Sequence, residues 1–150
     1  MDGFGICAWW KISHHHHLTT IVKKISQQCT GTMPFPPHIT LMTHVTDLKQ
    51  LTTPDFTIIT TLPLRMTETV VWDHVLYAVE LPVVHISPLP KNAHISIAYR
   101  IGVPFNEEDI QCMLNILHSI GDASVDPVDL QACYYNCSSR NITKWQCIDL

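Results

Sequence analysis

The chain has 150 residues and a formal charge of −4, with 46% hydrophobic and 15% charged residues. That is enough apolar material for one folded domain and too little charge for disorder. The balance excludes the basic patch that grips long nucleic acid, and no apolar run reaches the length of a membrane span. Met1-Asp2-Gly3-Phe4 lacks the basic start and long apolar centre of a signal peptide. These features lead to the expectation of a single domain over 1–150, monomeric and cytoplasmic, with six reduced cysteines acting mostly as small hydrophobes.

In chain order, Phe4 to Trp10 is apolar and predicts a strand. Ser13 is a plausible N-cap, and Leu18, Ile21, Val22, Ile25 and Cys29 recur at helical spacing, so His14 to Gln28 predicts an amphipathic helix. The run His14-His15-His16-His17 at its start reads as an exposed polar turn. Gly31 and Pro34-Phe35-Pro36-Pro37 stop the helix, and His38 to Val45 predicts a second strand. Asp47 to Leu51 suits one helical turn. Phe56 to Leu62, Met66 to Val71 and Val75 to Leu81 predict three more strands, the last two joined around Trp72-Asp73-His74.

Pro82, Pro88 and Pro90 deny the stretch from Leu81 to Asn92 a helix or a central strand. His94 to Ile101 again predicts a strand. Asn106 caps a helix whose first turn carries Glu107, Glu108 and Asp109, with Ile110, Met113, Leu114, Leu117 and Ile120 as its buried stripe and Gly121 as its end. Val128 to Cys137 and Ile142 to Leu150 predict a closing hairpin. The order of strand, helix, strands, helix and hairpin defines an α+β chain and suggests two strand-plus-helix lobes.

Two tripeptides carry the chemistry: His38-Ile39-Thr40 and His94-Ile95-Ser96. Residues two apart on a strand point to one face. Each tripeptide therefore aims an imidazole and a hydroxyl at one side of a sheet. On neighbouring strands the two pairs would face one cleft. A histidine titrates near neutrality and can take or give a proton, and hydroxyls can donate to the oxygens where charge collects in a phosphoryl transition state. No carboxylate cluster for magnesium accompanies them, so neither a metal nor a cofactor is expected. Cys133 and Cys137 lack the second ligand pair of a zinc ribbon. Val84-His85-Ile86-Ser87 matches the same pattern but is trapped between prolines and reads as structural.

Phe35-Pro36-Pro37-His38-Ile39-Thr40-Leu41 and Asn92-Ala93-His94-Ile95-Ser96-Ile97-Ala98-Tyr99 resemble the two signature strands of the two-histidine (2H, LigT-like) phosphoesterase superfamily. The closing hairpin is similar to that family's usual ending, and the small size is similar to its compact viral members. The resemblance implies a bilobal α+β fold, with two antiparallel sheets forming a central cleft and two main helices outside. It also implies metal-independent chemistry on phosphodiesters that involve a ribose 2'-oxygen. His38 and His94 match the catalytic histidines, and Thr40 and Ser96 match the hydroxyl positions. The separation between the motifs is short, and no helix precedes His94 as it does in many relatives.

Strand parity adds Met42 and His44 to the face of His38 and Thr40, and Arg100 to that of His94 and Ser96. Arg100 can pair with a phosphate or serve as a strand-end surface charge. Tyr134, Tyr135, Trp72, Trp9 and Trp10 are available to stack a base, and Lys91, just before the second motif, can approach an anion. The expected substrate-binding set is Arg100, His44, Tyr134 and Lys91. The expected partner is a small nucleotide or oligonucleotide, with neither long nucleic acid nor membrane. The leading function is cleavage of 2'-linked phosphodiesters such as 2',5'-oligoadenylate or a 2',3'-type cyclic dinucleotide, as in viral antagonists of innate immunity acting in the host cytosol. The alternatives are hydrolysis of nucleoside 2',3'-cyclic phosphates and a dead nucleotide-binding module. The sequence assigns base and acid to neither histidine.

Overall fold

The computed structural model describes residues 3–84, 89–120 and 123–149. The third motif match at His85 to Ser87, the helix-ending Gly121 and the terminal Leu150 lie outside the described residues. The strands are β1 (Ile6–Ile12), β2 (His38–Met42), β3 (Arg65–Val71), β4 (His74–Pro82), β5 (His94–Ile101), β6 (Leu130–Asn136) and β7 (Gln146–Ile148), and the helices are α1 (His17–Gln28) and α2 (Glu107–Ile120). Every pairing is antiparallel, in the order β3-β4-β5-β2-β1-β6-β7. The α+β expectation therefore holds.

Where two sheets are expected, the ladder is continuous. Its middle is narrow: β2 and β5 share a single register pair, Ile39 opposite Ile95. These are the central residues of the two tripeptides, and both are fully buried. With the outer residues of each tripeptide aimed at one face, the isoleucines point to the other. On that side α1 packs against β5 and α2, burying Leu18, Ile21, Val22, Ile25, Met113 and Leu117 in the continuous core. One apolar layer thus holds both motif strands side by side.

Local chemistry explains the boundaries. The cap of α1 is His16, not Ser13. Its Nδ1 accepts the Leu18 N–H at 3.0 Å, and its Nε2–H donates to the Ser124 carbonyl at 2.7 Å. The histidine run is therefore not simply an exposed turn, because His16 is buried. Asn106 and Asp109 form a reciprocal box at the start of α2, at 2.9 and 3.0 Å. Trp72 and Asp73 take φ of 52° and 59°, the left-handed pair that a tight hairpin needs between β3 and β4.

The segment expected as a strand at Phe56 to Leu62 makes only isolated bridges, Ile58 to Val125 and Thr60 to Val83. Asp47 to Leu51 forms no helical turn. All six cysteines are free. Among the described residues no helix is long and apolar enough to cross a membrane.

Candidate active site

On the sheet face away from the helices lies a cavity of about 200 Å³. His38, Thr40, His94 and Ser96 all line it, so the structure brings the two tripeptides together. Around them stand Trp9 from β1, Thr67 and Thr69 from β3, Ala78 and Glu80 from β4, and Tyr99 from β5, with Phe4 and Trp145 as further aromatic walls.

The two histidines are held in the same way and charged differently. Each donates Nδ1–H to the carbonyl two residues before it: His38 to Pro36 at 2.7 Å, and His94 to Asn92 at 3.0 Å. A carbonyl cannot donate, so both Nδ1 atoms carry hydrogen. His38 is buried and stacks on Trp9, with ring centroids 3.4 Å apart and planes 9° from parallel. Tyr135 covers the other face of that indole at 4.1 Å, which fixes the ring. Among the described residues no protein atom bonds its Nε2. Burial pushes its pKa down to about 3, against the pull of the Pro36 carbonyl and helped by the charge of His94. His38 is therefore a neutral imidazole with a free lone pair.

The Nε2 of His94 instead faces the Glu80 carboxylate at 2.7 Å. Burial works against its charge, but the hydrogen bond and charge of Glu80 outweigh it, with the Asn92 carbonyl adding to the effect. The His94 pKa is raised. With acceptors on both nitrogens, His94 is an imidazolium donor. Glu80 is itself buried and shares its other oxygen with Arg65, directly opposite on β3, at 3.7 Å.

Beyond the tripeptides, strand parity fails for one shared reason. The β1–β2 register runs from Trp9 opposite Thr40 to Ala8 opposite Met42, skipping Leu41. The β4–β5 register runs from Glu80 opposite Ser96 to Val79 opposite Ala98, skipping Ile97. A bulge thus follows each motif hydroxyl by one residue and reverses the facing of everything after it. Thr43 and Tyr99 enter the cavity in place of Met42 and Arg100.

Arg100 therefore lies on the helix side. It donates to the Thr30 carbonyl at 2.7 Å and to Asp109 at 3.1 Å, over the ring of Phe105. It clamps Thr30 and Asp109 together there and does not line the cavity. His44, at φ 53°, lines a separate hollow with Tyr134. Tyr134 pairs with Ala8, which faces away from the cleft, and its hydroxyl donates to the Lys49 carbonyl at 2.6 Å. Lys91 is exposed in its loop and does not line the cavity.

The residues that sequence reasoning missed are Glu80, Arg65, Tyr99 and Thr43. Glu80 had a signal, because it is a lone carboxylate inside the apolar run Val75 to Leu81. Alongside the His38 loop runs a broader groove of about 790 Å³, whose lining includes Pro36, Lys11, Lys23 and His14. Lys11 sits directly across the strand from His38.

Among the described residues no three His, Cys, Asp or Glu side chains gather as a metal site requires. Compared with known protein families, with curated proteins and with solved structures, the chain matches none.

Proposed function

We propose that the protein is a phosphodiesterase of the 2H type that cleaves 2'-linked phosphodiesters in small nucleotides by acid–base catalysis between His38 and His94. The observation that carries this reading is the pair of unequal imidazoles in one cavity, one with a free lone pair and the other with both ring nitrogens turned to acceptors. Acid–base chemistry at a single phosphorus needs that inequality. The finer architecture belongs to the same proposal. The halves β3-β4-β5 and β2-β1-β6-β7 stand for the two lobes of the 2H fold, fused at Ile39 and Ile95.

The reaction follows from the protonation states. His38 Nε2 takes the proton of the ribose 3'-hydroxyl as that oxygen bonds to the 2'-linked phosphorus. The bond from phosphorus to the 5'-oxygen breaks, and His94 gives its proton to that oxygen. A 2',3'-cyclic phosphate and a free 5'-hydroxyl result. Thr40, whose hydroxyl has no protein partner among the described residues, and Ser96 stabilise the non-bridging oxygens. The groove past Lys11 and Lys23 supports a linear oligonucleotide over a cyclic dinucleotide, since it gives further phosphates a cationic path away from His38.

The test is product analysis after incubation with 2',5'-oligoadenylate, 3',5'-oligoadenylate, a 2',3'-containing cyclic dinucleotide and a 2',3'-cyclic mononucleotide. Cleavage of the first, with the 3',5' isomer untouched, is expected. Cleavage of the cyclic mononucleotide alone would favour the RNA-processing alternative, and binding without turnover of any substrate would leave a nucleotide-binding module.

The pH profile is fixed in sign. The active form has His38 neutral and His94 charged. kcat/KM should hold on the acid side well below the ordinary histidine range, because His38 protonates only near pH 3. It should fall as pH rises through the raised pKa of His94. A profile that instead rises through neutrality would reverse the roles of the two rings.

A further inference from the structure

We infer that Glu80 is a positioning residue that keeps His94 charged and aimed before substrate binds, and that it yields the Nε2–H of His94 to substrate by moving onto Arg65. The inference rests on the phosphodiesterase reading above.

The geometry sets up a conflict. His94 has two N–H groups and both are taken, by Asn92 and by Glu80 at 2.7 Å. A leaving oxygen can receive a proton only if one acceptor withdraws. The Asn92 carbonyl is backbone, at a position with φ of 62°, and the same contact in mirrored form holds His38. Glu80 is the side chain and can turn.

It also has somewhere to go. Arg65 faces it across the β3–β4 ladder at 3.7 Å, a loose contact, and the Arg65 Nε is buried without a partner. A closer Glu80–Arg65 bond would satisfy that orphaned donor. The substrate phosphate then replaces one anion at His94 with another, so the ring keeps its charge until the proton leaves.

The charged and titratable groups around His94 are Glu80 from β4, Arg65 from β3, His38 from β2 and Tyr99 from its own strand, with the thiols of Cys7 and Cys137 in the same cavity. Glu80 is the one anion in direct contact with it among them.

The experiment follows His94 by side-chain NMR across pH in the full-length wild type, Glu80→Gln and Glu80→Asp. It is paired with pH–rate profiles on a 2',5'-linked adenylate dinucleotide. In Glu80→Gln, His94 should titrate at lower pH, and the alkaline limb of kcat/KM, which reports the free enzyme, should move the same way. The rate at pH 8 relative to pH 6 should drop about tenfold further than in wild type. KM should stay or fall, because a negative charge has left the cleft. Glu80→Asp keeps the charge at longer reach, so its limb should lie between the other two, and it carries the test if the glutamine variant fails to fold. Superimposable titrations and profiles for wild type and a folded variant would overturn the inference. If the wild type turns over no nucleotide, the phosphodiesterase reading falls, while the NMR arm still decides whether Glu80 sets the charge of His94.

Discussion

Replacing His94 with alanine should lower kcat by about 10²–10⁴-fold, with the fold intact. The side chain is about a third exposed and lies at the start of its strand, so little packing is lost. His38 needs a gentler change. It is buried against Trp9, and truncation would leave a hole beside that indole. His38→Gln keeps the bulk and removes the base, and an equally deep loss is expected. If the two rings serve one turnover, their effects will not multiply. The double variant should fall only slightly below the worse single one, because the second ring has nothing to act with once the first is gone. Circular dichroism on each variant and a single-turnover assay on 2',5'-oligoadenylate make the check. Wild-type rates in either single variant would remove that histidine from the mechanism.

The same rings tie activity to stability. His38 is buried neutral, and its pKa in the fold lies far below that of an unfolded histidine. As pH falls below about 6.5 the unfolded chain gains a proton that the folded chain refuses, so this ring costs stability progressively down to about pH 3. His94 works in the opposite direction. Its raised pKa stabilises the fold below the ordinary histidine value, and that contribution is lost as pH climbs through the folded value. The cleft is therefore held by opposed titrations, and the protein does not simply strengthen with acid or with base.

How much of this was legible varies along the chain, for physical reasons. Period-two alternation placed His38 with Thr40 and His94 with Ser96 correctly, because both motifs sit on regular ladder. It failed four residues past each hydroxyl, at His44 and at Arg100, because bulges at Leu41 and Ile97 reverse the pleat. Neither bulge has a glycine or a proline to mark it. Tyr134 and Tyr135 are equally aromatic in sequence, and only the register of β6 on β1 shows that Tyr135 shares the face of Cys7 and Trp9. The strand expected at Phe56 to Leu62 had the right composition. β-propensity describes how a residue fits a pleated surface, and that segment finds a partner at only two points. Four histidines in a row suggested solvent, yet the ring of His16 can both accept from a helix N–H and donate to a distant carbonyl.

The joint at Ile39 and Ile95 concentrates the second large effect. Each isoleucine is fully buried, and together they make the single register pair that connects the two halves of the sheet. Ile39→Ala should cost about 2–5 kcal/mol, the range for emptying a well-packed aliphatic site. In urea this should lower the midpoint with little change in slope. Ile39→Val removes one methylene and should cost about 0.5–1.5 kcal/mol. Ile59→Ala, half exposed, should stay within about 0.5 kcal/mol. The joint also spaces the imidazoles, because His38 and His94 each precede one of the two paired residues. Ile39→Ala should therefore lose activity at temperatures where it is still folded, and the valine variant should not. A folded alanine variant with wild-type kcat would mean that the helices alone set the spacing of the rings and that the ladder contact between the halves is dispensable for catalysis.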